Sequence, residues 1–206
     1  VAFVAANGPE WIQAYYGVPR AGCRLAFVNH RLGPAAKRDA VARYEASVLI
    51  GDADQLADLA ATGSLTGLAP VVVSIGGPHP GAIPYEQFAT TGATTTAPTT
   101  AGRSLPADLT PDDTAWLIAT SGTSGTPKVV ELTHANLLAA VDGTLAVRPM
   151  GADDVYLFPF PLCHVAGYNV VLFHRARRPV VVARQFTPAG LVEQIGRHRV
   201  TNVSLA

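Results

Sequence analysis

Short runs of β-branched and apolar residues alternate along the chain with segments whose apolar positions recur at helical spacing. Residues 1–5, VAFVA, read as a strand. A helix then opens at Pro9, where a missing backbone N–H costs nothing, and closes near Gly22. Pro19 falls in the last turn of this helix and should kink it or end it early. Residues 24–28 predict a second strand, and residues 34–46 a helix in which Ala36, Ala40, Val41 and Tyr44 share one face. Residues 47–50 predict the next strand. From residue 89 to 102 the sequence ATTGATTTAPTTAG carries no charge and no apolar period, which predicts an exposed connection rather than a packed element. Extended over residues 89–112, it separates a first α/β part, residues 1–88, from a second, residues 113–206. In the second part the pattern predicts strands over 114–119 and 128–132, with Thr133 as N-cap of a helix over 134–147. A strand over 155–158, a helix over 165–174, a strand over 179–183, a helix over 188–198 and a strand over 201–205 complete the alternation, which is that of an α/β protein.

Composition narrows the class. The chain has 206 residues, 49% hydrophobic and 15% charged, so it is rich enough in interior-forming residues to exclude a disordered, fibrous or coiled-coil protein. Lys plus Arg and Asp plus Glu are 15 each, so no global field recruits nucleic acid or anionic lipid, and any nucleotide chemistry must be local. The longest apolar runs, such as residues 170–173, are far short of the roughly 18 needed to cross a bilayer, and no membrane span is expected. Cys23 and Cys163 are far apart and outside any metal-ligand spacing, which suits a reducing, cytoplasmic compartment and two thiols acting as small buried hydrophobes. The six histidines, His30, His79, His134, His164, His174 and His198, show no paired spacing, so no structural metal site is expected. The chain begins inside an apolar run and its one methionine is Met150, which leads to the expectation of a fragment of a longer chain.

The chemically informative stretch is residues 120–128, TSGTSGTPK. Gly122 and Gly125 let backbone N–H groups approach an anion, Thr120, Ser121, Thr123, Ser124 and Thr126 add hydroxyl donors, and Lys128 adds a positive charge. Such a loop can wrap phosphates; a plain Ser/Thr/Gly hairpin turn has the same composition. It is not a Walker A loop, because Pro127 precedes the lysine and the β-branched Val129 and Val130 follow it instead of a helix. Gly51 and Asp52, following a strand, read as a plain turn, and Lys37 reads as part of a helical surface.

With its flanks, residues 113–118 leading in and VVELTHANLL leading out, the loop resembles the phosphate-binding signature of the adenylate-forming superfamily of acyl-CoA synthetases, luciferases and peptide-synthetase adenylation domains. A second segment, residues 161–167, PLCHVAG, resembles the Pro-Leu-x-His-x-x-Gly segment of acyl-CoA synthetases, and His164 favours that branch over the peptide-synthetase one. Residues 7–22 with Val28 and Asn29, and residues 186–203, are similar to further units of the superfamily, so the likeness spans nearly the whole chain.

The resemblance implies an α/β fold: part of the superfamily's N-terminal domain, with mixed sheets flanked by helices and with the C-terminal half and lid domain absent. It implies that ATP and a carboxylic acid, in the expected case a fatty acid, give an acyl-adenylate, from which coenzyme A displaces AMP. ATP, Mg²⁺ and coenzyme A are the implied co-reactants, with residues 120–126 and Lys128 on the phosphates and His164 beside the acid. For His164 a packed core position is the alternative. The superfamily's glutamate, ribose-binding aspartate and catalytic lysine have no counterparts here, so no catalytic residue is assigned. The isolated chain also fits a catalytically inactive remnant or binding module, or part of an adenylation domain that loads a carrier protein. Two departures stand out. Val129 occupies a position often held by glycine, and residues 173–179, FHRARRP, are unusually basic, fitting either a solvated face or a contact with coenzyme A phosphates.

Overall fold

The computed structural model describes residues 1–91, 108–120 and 127–205. A seven-stranded sheet is built around β1 (Ala2–Val4), which pairs in parallel with β2 (Leu25–Phe27) on one side and β3 (Val48–Asp52) on the other. Beyond β3 lie β4 (Val71–Ile75) and the two-residue β5 (Ile83–Pro84), and beyond β2 lie β6 (Thr114–Thr120) and β7 (Lys128–Thr133). All neighbours are parallel except β6 and β7, which form an antiparallel hairpin, so the sheet is mixed.

Period-two alternation sends successive residues to opposite faces. Phe3, Phe27, Ile50, Val73 and Trp116 face one layer; Ala2, Ala26, Leu49, Val72 and Leu117 face the other. The second face is covered by α2 (Pro34–Arg43), through Val41, and α3 (Ala53–Ala60), through Leu56 and Leu59. On the first face α1 (Pro9–Arg20) inserts Trp11 and Tyr15 beside Phe27 and Trp116, with Tyr15 stacked on Phe27 at 5.6 Å and tilted against Trp116 at 4.7 Å. Such rings contribute the largest single apolar areas in a core. A short helix, α4 (Tyr85–Thr91), follows β5.

A second sheet, in the order β10–β8–β9, comprises β8 (Tyr156–Phe158), β9 (Val180–Val182) and β10 (Asn202–Val203), all parallel. It joins the first-face core together with α5 (His134–Val147) and α6 (Tyr168–Arg175), Tyr156 stacking on Phe173 at 4.4 Å. Helix α7 (Pro188–His198) lies between β9 and β10 in the chain and has no fully buried residue.

Most expected elements are present, with instructive differences. Helix α1 does end at Arg20, one residue after Pro19. The helix expected to reach residue 46 stops at Arg43, because Glu45 adopts a left-handed conformation with φ of 46°. Thr133 is the N-cap as expected: its side chain accepts from the Asn136 N–H at 3.1 Å while Asn136 Oδ1 accepts from the Thr133 N–H at 3.1 Å. The helix expected over 165–174 is split into a 3₁₀ turn (Val165–Gly167) and α6. Ala89 and Thr90, expected in an exposed connection, belong to α4. The parts before and after that connection share one sheet, because β6 pairs with β2. Among the described residues no helix is long and apolar enough to cross a membrane.

Candidate functional site

Parallel strands bring their carboxyl ends to one edge, where ligand crevices of α/β proteins form. At this edge the β6–β7 hairpin opens: Thr120 pairs with Lys128, and the Thr120 hydroxyl lies 3.4 Å from the Lys128 carbonyl. Both residues are exposed. The residues they bracket, Ser121, Gly122, Thr123, Ser124, Gly125 and Thr126, lie outside the described residues. Val129, which stands where the superfamily often has glycine, occupies a regular β7 position opposite Ala119, where β-branching is favourable.

The PLCHVAG segment follows β8 at the same edge. Leu162 is fully buried; its N–H donates to Asn7 Oδ1 at 2.7 Å, and its carbonyl accepts from the Tyr15 hydroxyl. Gly167 is required here, since a Cβ would collide with the Tyr15 hydroxyl and ring. His164 is exposed, not a packed core residue, and it caps the 3₁₀ turn: Nδ1 accepts from the Ala166 N–H at 3.1 Å, which places the ring proton on Nε2. Its ring lies 6.4 Å from that of Phe160.

Tyr44 stands at the end of β2, near both motif-bearing regions. Its hydroxyl donates to the Phe27 carbonyl at 3.0 Å at the end of β2, and it lies within electrostatic reach of the Ala119 backbone and of Cys163. Burial pushes the Tyr44 hydroxyl up to about 12. Burial likewise pushes the Cys163 thiol up to about 11, against a smaller opposing effect of the His30 backbone N–H. Cys163 is thus a half-buried thiol, whereas Cys23, expected to be buried, is exposed.

Beside this edge a cleft of about 560 Å³ separates the ends of β1, β3 and β4 from β9. Asp52, expected in a plain turn, is the last residue of β3, and its carboxylate accepts from the Ala6 N–H at 2.7 Å. Burial raises its pKa, with the Ala6 hydrogen bond and Arg184 opposing. Lys37, expected on a helical surface, is buried between α2 and α3, its ammonium 2.6 Å from Asp58 and 2.7 Å from Gln55. The basic turn of residues 173–179 precedes β9, at the end of that strand opposite to Ala183, which Asn7 joins to the motif edge. There Arg178 donates to the Ala152 carbonyl at 2.8 Å, and Arg175 faces Asp142 at 3.5 Å. Phe173 in this run is buried, whereas Arg175 is exposed.

Sequence reasoning missed Asn7, Tyr15 and Tyr44. The signal available was modest: one asparagine between an apolar strand and a proline-initiated helix, and aromatics on the inner faces of helices. Among the described residues no group of three His, Cys, Asp or Glu side chains is placed to hold a metal ion.

The pattern of the family described as AMP-binding enzyme matches residues 1–206. 4-Coumarate–CoA ligase 3 of Oryza sativa subsp. japonica is 28% identical over 203 residues, covering 95% of this chain and 34% of its own length. Long chain acyl-CoA synthetase 6, peroxisomal, of Arabidopsis thaliana is 51% identical over 55 residues, 27% of this chain and 8% of its own. The structure of O-succinylbenzoate coenzyme A synthetase from Bacillus subtilis in complex with AMP superposes with a TM-score of 0.74 at 20% identity, covering 99% of this chain and 48% of that one. The chain therefore spans about a third of the rice ligase and about half of the Bacillus structure.

Proposed function

The chain belongs to the AMP-binding enzyme family, and from that premise we propose that it forms the ATP-loop half of an acid–thiol ligase that makes acyl-CoA from a carboxylic acid. A carboxylate is a poor electrophile, because its leaving group would be oxide. Its attack on the α-phosphorus of ATP forms the acyl–AMP anhydride and releases pyrophosphate; the coenzyme A sulfur then attacks the acyl carbon, and AMP leaves with the bonding electrons. Chemistry of this kind is accelerated chiefly by fixed dipoles and charges aimed at the transferring phosphates.

In this reading Thr120, Ser121, Gly122, Thr123, Ser124, Gly125, Thr126 and Lys128 hold the β- and γ-phosphates through N–H, hydroxyl and ammonium donors. His164 lines the approach of the acid. Mg²⁺ travels with the phosphates of ATP, and among the described residues no group of three His, Cys, Asp or Glu side chains is placed to hold it. The acid is one with an apolar body, in the first place a fatty acid. A long-chain acyl-CoA synthetase and a 4-coumarate ligase among the relatives make fatty and aryl acids the two classes to compare. The enzyme acts in the cytoplasm.

The observation that supports this best is the shared edge: Thr120 ends β6, which lies parallel to β1 through β2, and Asn7, just past the end of β1, bonds Phe160 and Leu162 of the loop that leads into His164. The test is Lys128→Ala in the complete enzyme, followed by ATP–pyrophosphate exchange at subsaturating ATP. We expect a loss of roughly 1 to 3 kcal/mol in transition-state stabilisation, the scale of a charge-assisted hydrogen bond. An unchanged rate removes Lys128 from the phosphate site.

A further inference from the structure

We propose that Asn7 is a positioning residue for the loop of residues 161–167, setting where His164 stands and hence which acids are accepted; the second half of this statement rests on the reading above. Asn7 leaves β1 at its carboxyl end and is 8% exposed. Both hydrogens of its amide are used across the molecule: Nδ2 donates to the Phe160 carbonyl at 2.7 Å and to the Ala183 carbonyl at 2.8 Å. Its Oδ1 accepts from the Leu162 N–H at 2.7 Å. One side chain thus fastens the first sheet to the segments leaving both β8 and β9, and two of its three bonds hold the residues that lead into His164.

The chemistry required is narrow. Two carbonyl oxygens and one N–H converge on the site, so the occupant must present two donors and one acceptor in a plane, as a primary amide does. A carboxylate of the same shape would aim an oxygen at two carbonyl oxygens in a buried setting, and a shorter side chain would leave three backbone groups unpaired. A second restraint acts on the same loop from α1: the Tyr15 hydroxyl donates to the Leu162 carbonyl, and Gly167 packs against the same hydroxyl. Leu162 is therefore held at its N–H by Asn7 and at its carbonyl by Tyr15. The two residues sit in one helical start, at N′ of α1 and inside its second turn. None of these bonds touches Thr120 or Lys128, so loosening the loop displaces the acid side of the edge and leaves the hairpin mouth in place.

Two variants separate this from a general loss of folding. Asn7→Asp removes both donors at constant shape. Tyr15→Phe removes only the hydroxyl and keeps the ring among Trp11, Phe27 and Trp116. Hydrogen exchange by mass spectrometry is read on peptides covering residues 160–167 and, as an internal control, residues 48–52 and 71–75. We expect exchange in the loop to rise roughly tenfold in either variant with the control strands unchanged, a local opening rather than a global one. In the complete enzyme, the ratio of kcat/KM for a long-chain fatty acid to that for an aryl acid should shift, with the KM for ATP unaltered. Unchanged loop exchange overturns the proposal, and so does a loosened loop with unaltered acid preference. If the unmodified enzyme adenylates neither acid, the functional reading fails while the exchange experiment still decides whether Asn7 and Tyr15 hold the loop.

Discussion

Replacing His164 by alanine and by asparagine separates two jobs of this side chain. Alanine deletes both the ring and the acceptor that His164 Nδ1 offers to the Ala166 N–H at 3.1 Å. Asparagine deletes the ring but restores a side-chain oxygen at a position where asparagine is among the best N-caps. The cap serves a three-residue 3₁₀ turn, and His164 is exposed, so water partly replaces the lost acceptor. The stability cost of His164→Ala should therefore fall in the lower part of the usual capping range, about 0.5 to 1 kcal/mol. For a chain of this length that corresponds to a fall in Tm of about 1 to 4 °C. His164→Asn should recover most of it. Thermal unfolding followed by circular dichroism measures the first effect. The ratio of kcat/KM values across a series of fatty and aryl acids, taken in the complete enzyme, measures the second and should change equally in both variants. An asparagine variant with unaltered acid preference would refute the role of the ring, and an alanine variant as stable as the asparagine one would refute the cap.

Asp58→Ala leaves the buried Lys37 ammonium with Gln55 alone, and since the Asp58 side chain is 49% exposed the cost should lie below the 3 to 5 kcal/mol of a fully buried pair, at about 2 kcal/mol. Lys37→Met, which removes the charge and keeps the volume, should be close to neutral in urea denaturation, and equal losses in both variants would contradict the pair as described. Burial raises the Asp52 pKa, so the folded state keeps a proton that the unfolded chain has already released, and stability falls as pH rises from the ordinary carboxylate range through the raised value. Asp52→Asn retains an acceptor for the Ala6 N–H and should flatten that part of the stability–pH curve; an unaltered curve would place the titration elsewhere. At about pH 8 iodoacetamide should label the exposed Cys23 and spare Cys163, whose thiol burial pushes up to about 11, as read by intact mass and peptide mapping.

What could be read from the sequence follows the range of the interactions involved. Helix starts at Pro9, Thr133 and Pro188 were legible, because proline at N1 and a hydroxyl cap act within a turn. Strand centres were legible too, while the ends of β1, β2, β9 and β10 were overestimated and β3, β6 and β7 run past the expected residues, since a ladder stops where its neighbour stops. Residues 53–91 hold α3, β4, β5 and α4, none of them assigned from periodicity, although Val71–Ile75 is a β-branched run. Lys37 looked superficial because its partners come from another helix. Asn7 was illegible for the same reason in stronger form: its hydrogen bonds reach residues more than 150 positions away. The motif edge itself was legible only through two segments with local signatures, TSGTSGTPK and PLCHVAG, and the long-range bonds beside them, from Tyr44 to Phe27 and from Asn7 to Leu162, were not.

The seam between β2 and β6 has a consequence for how the molecule assembles. Leu25 pairs with Trp116 and Phe27 with Ile118, across the whole intervening chain. The β6–β7 hairpin is by contrast a local structure, formed on the microsecond scale and closed by few residues, whereas the long closure carries a larger entropic cost and belongs late in folding. The β6–β7 hairpin can therefore exist before it is seated. A nucleotide that bridged the hairpin and the end of β2 would bind the seated form alone and raise its population by mass action, so that ligand concentration acts on the last step of folding.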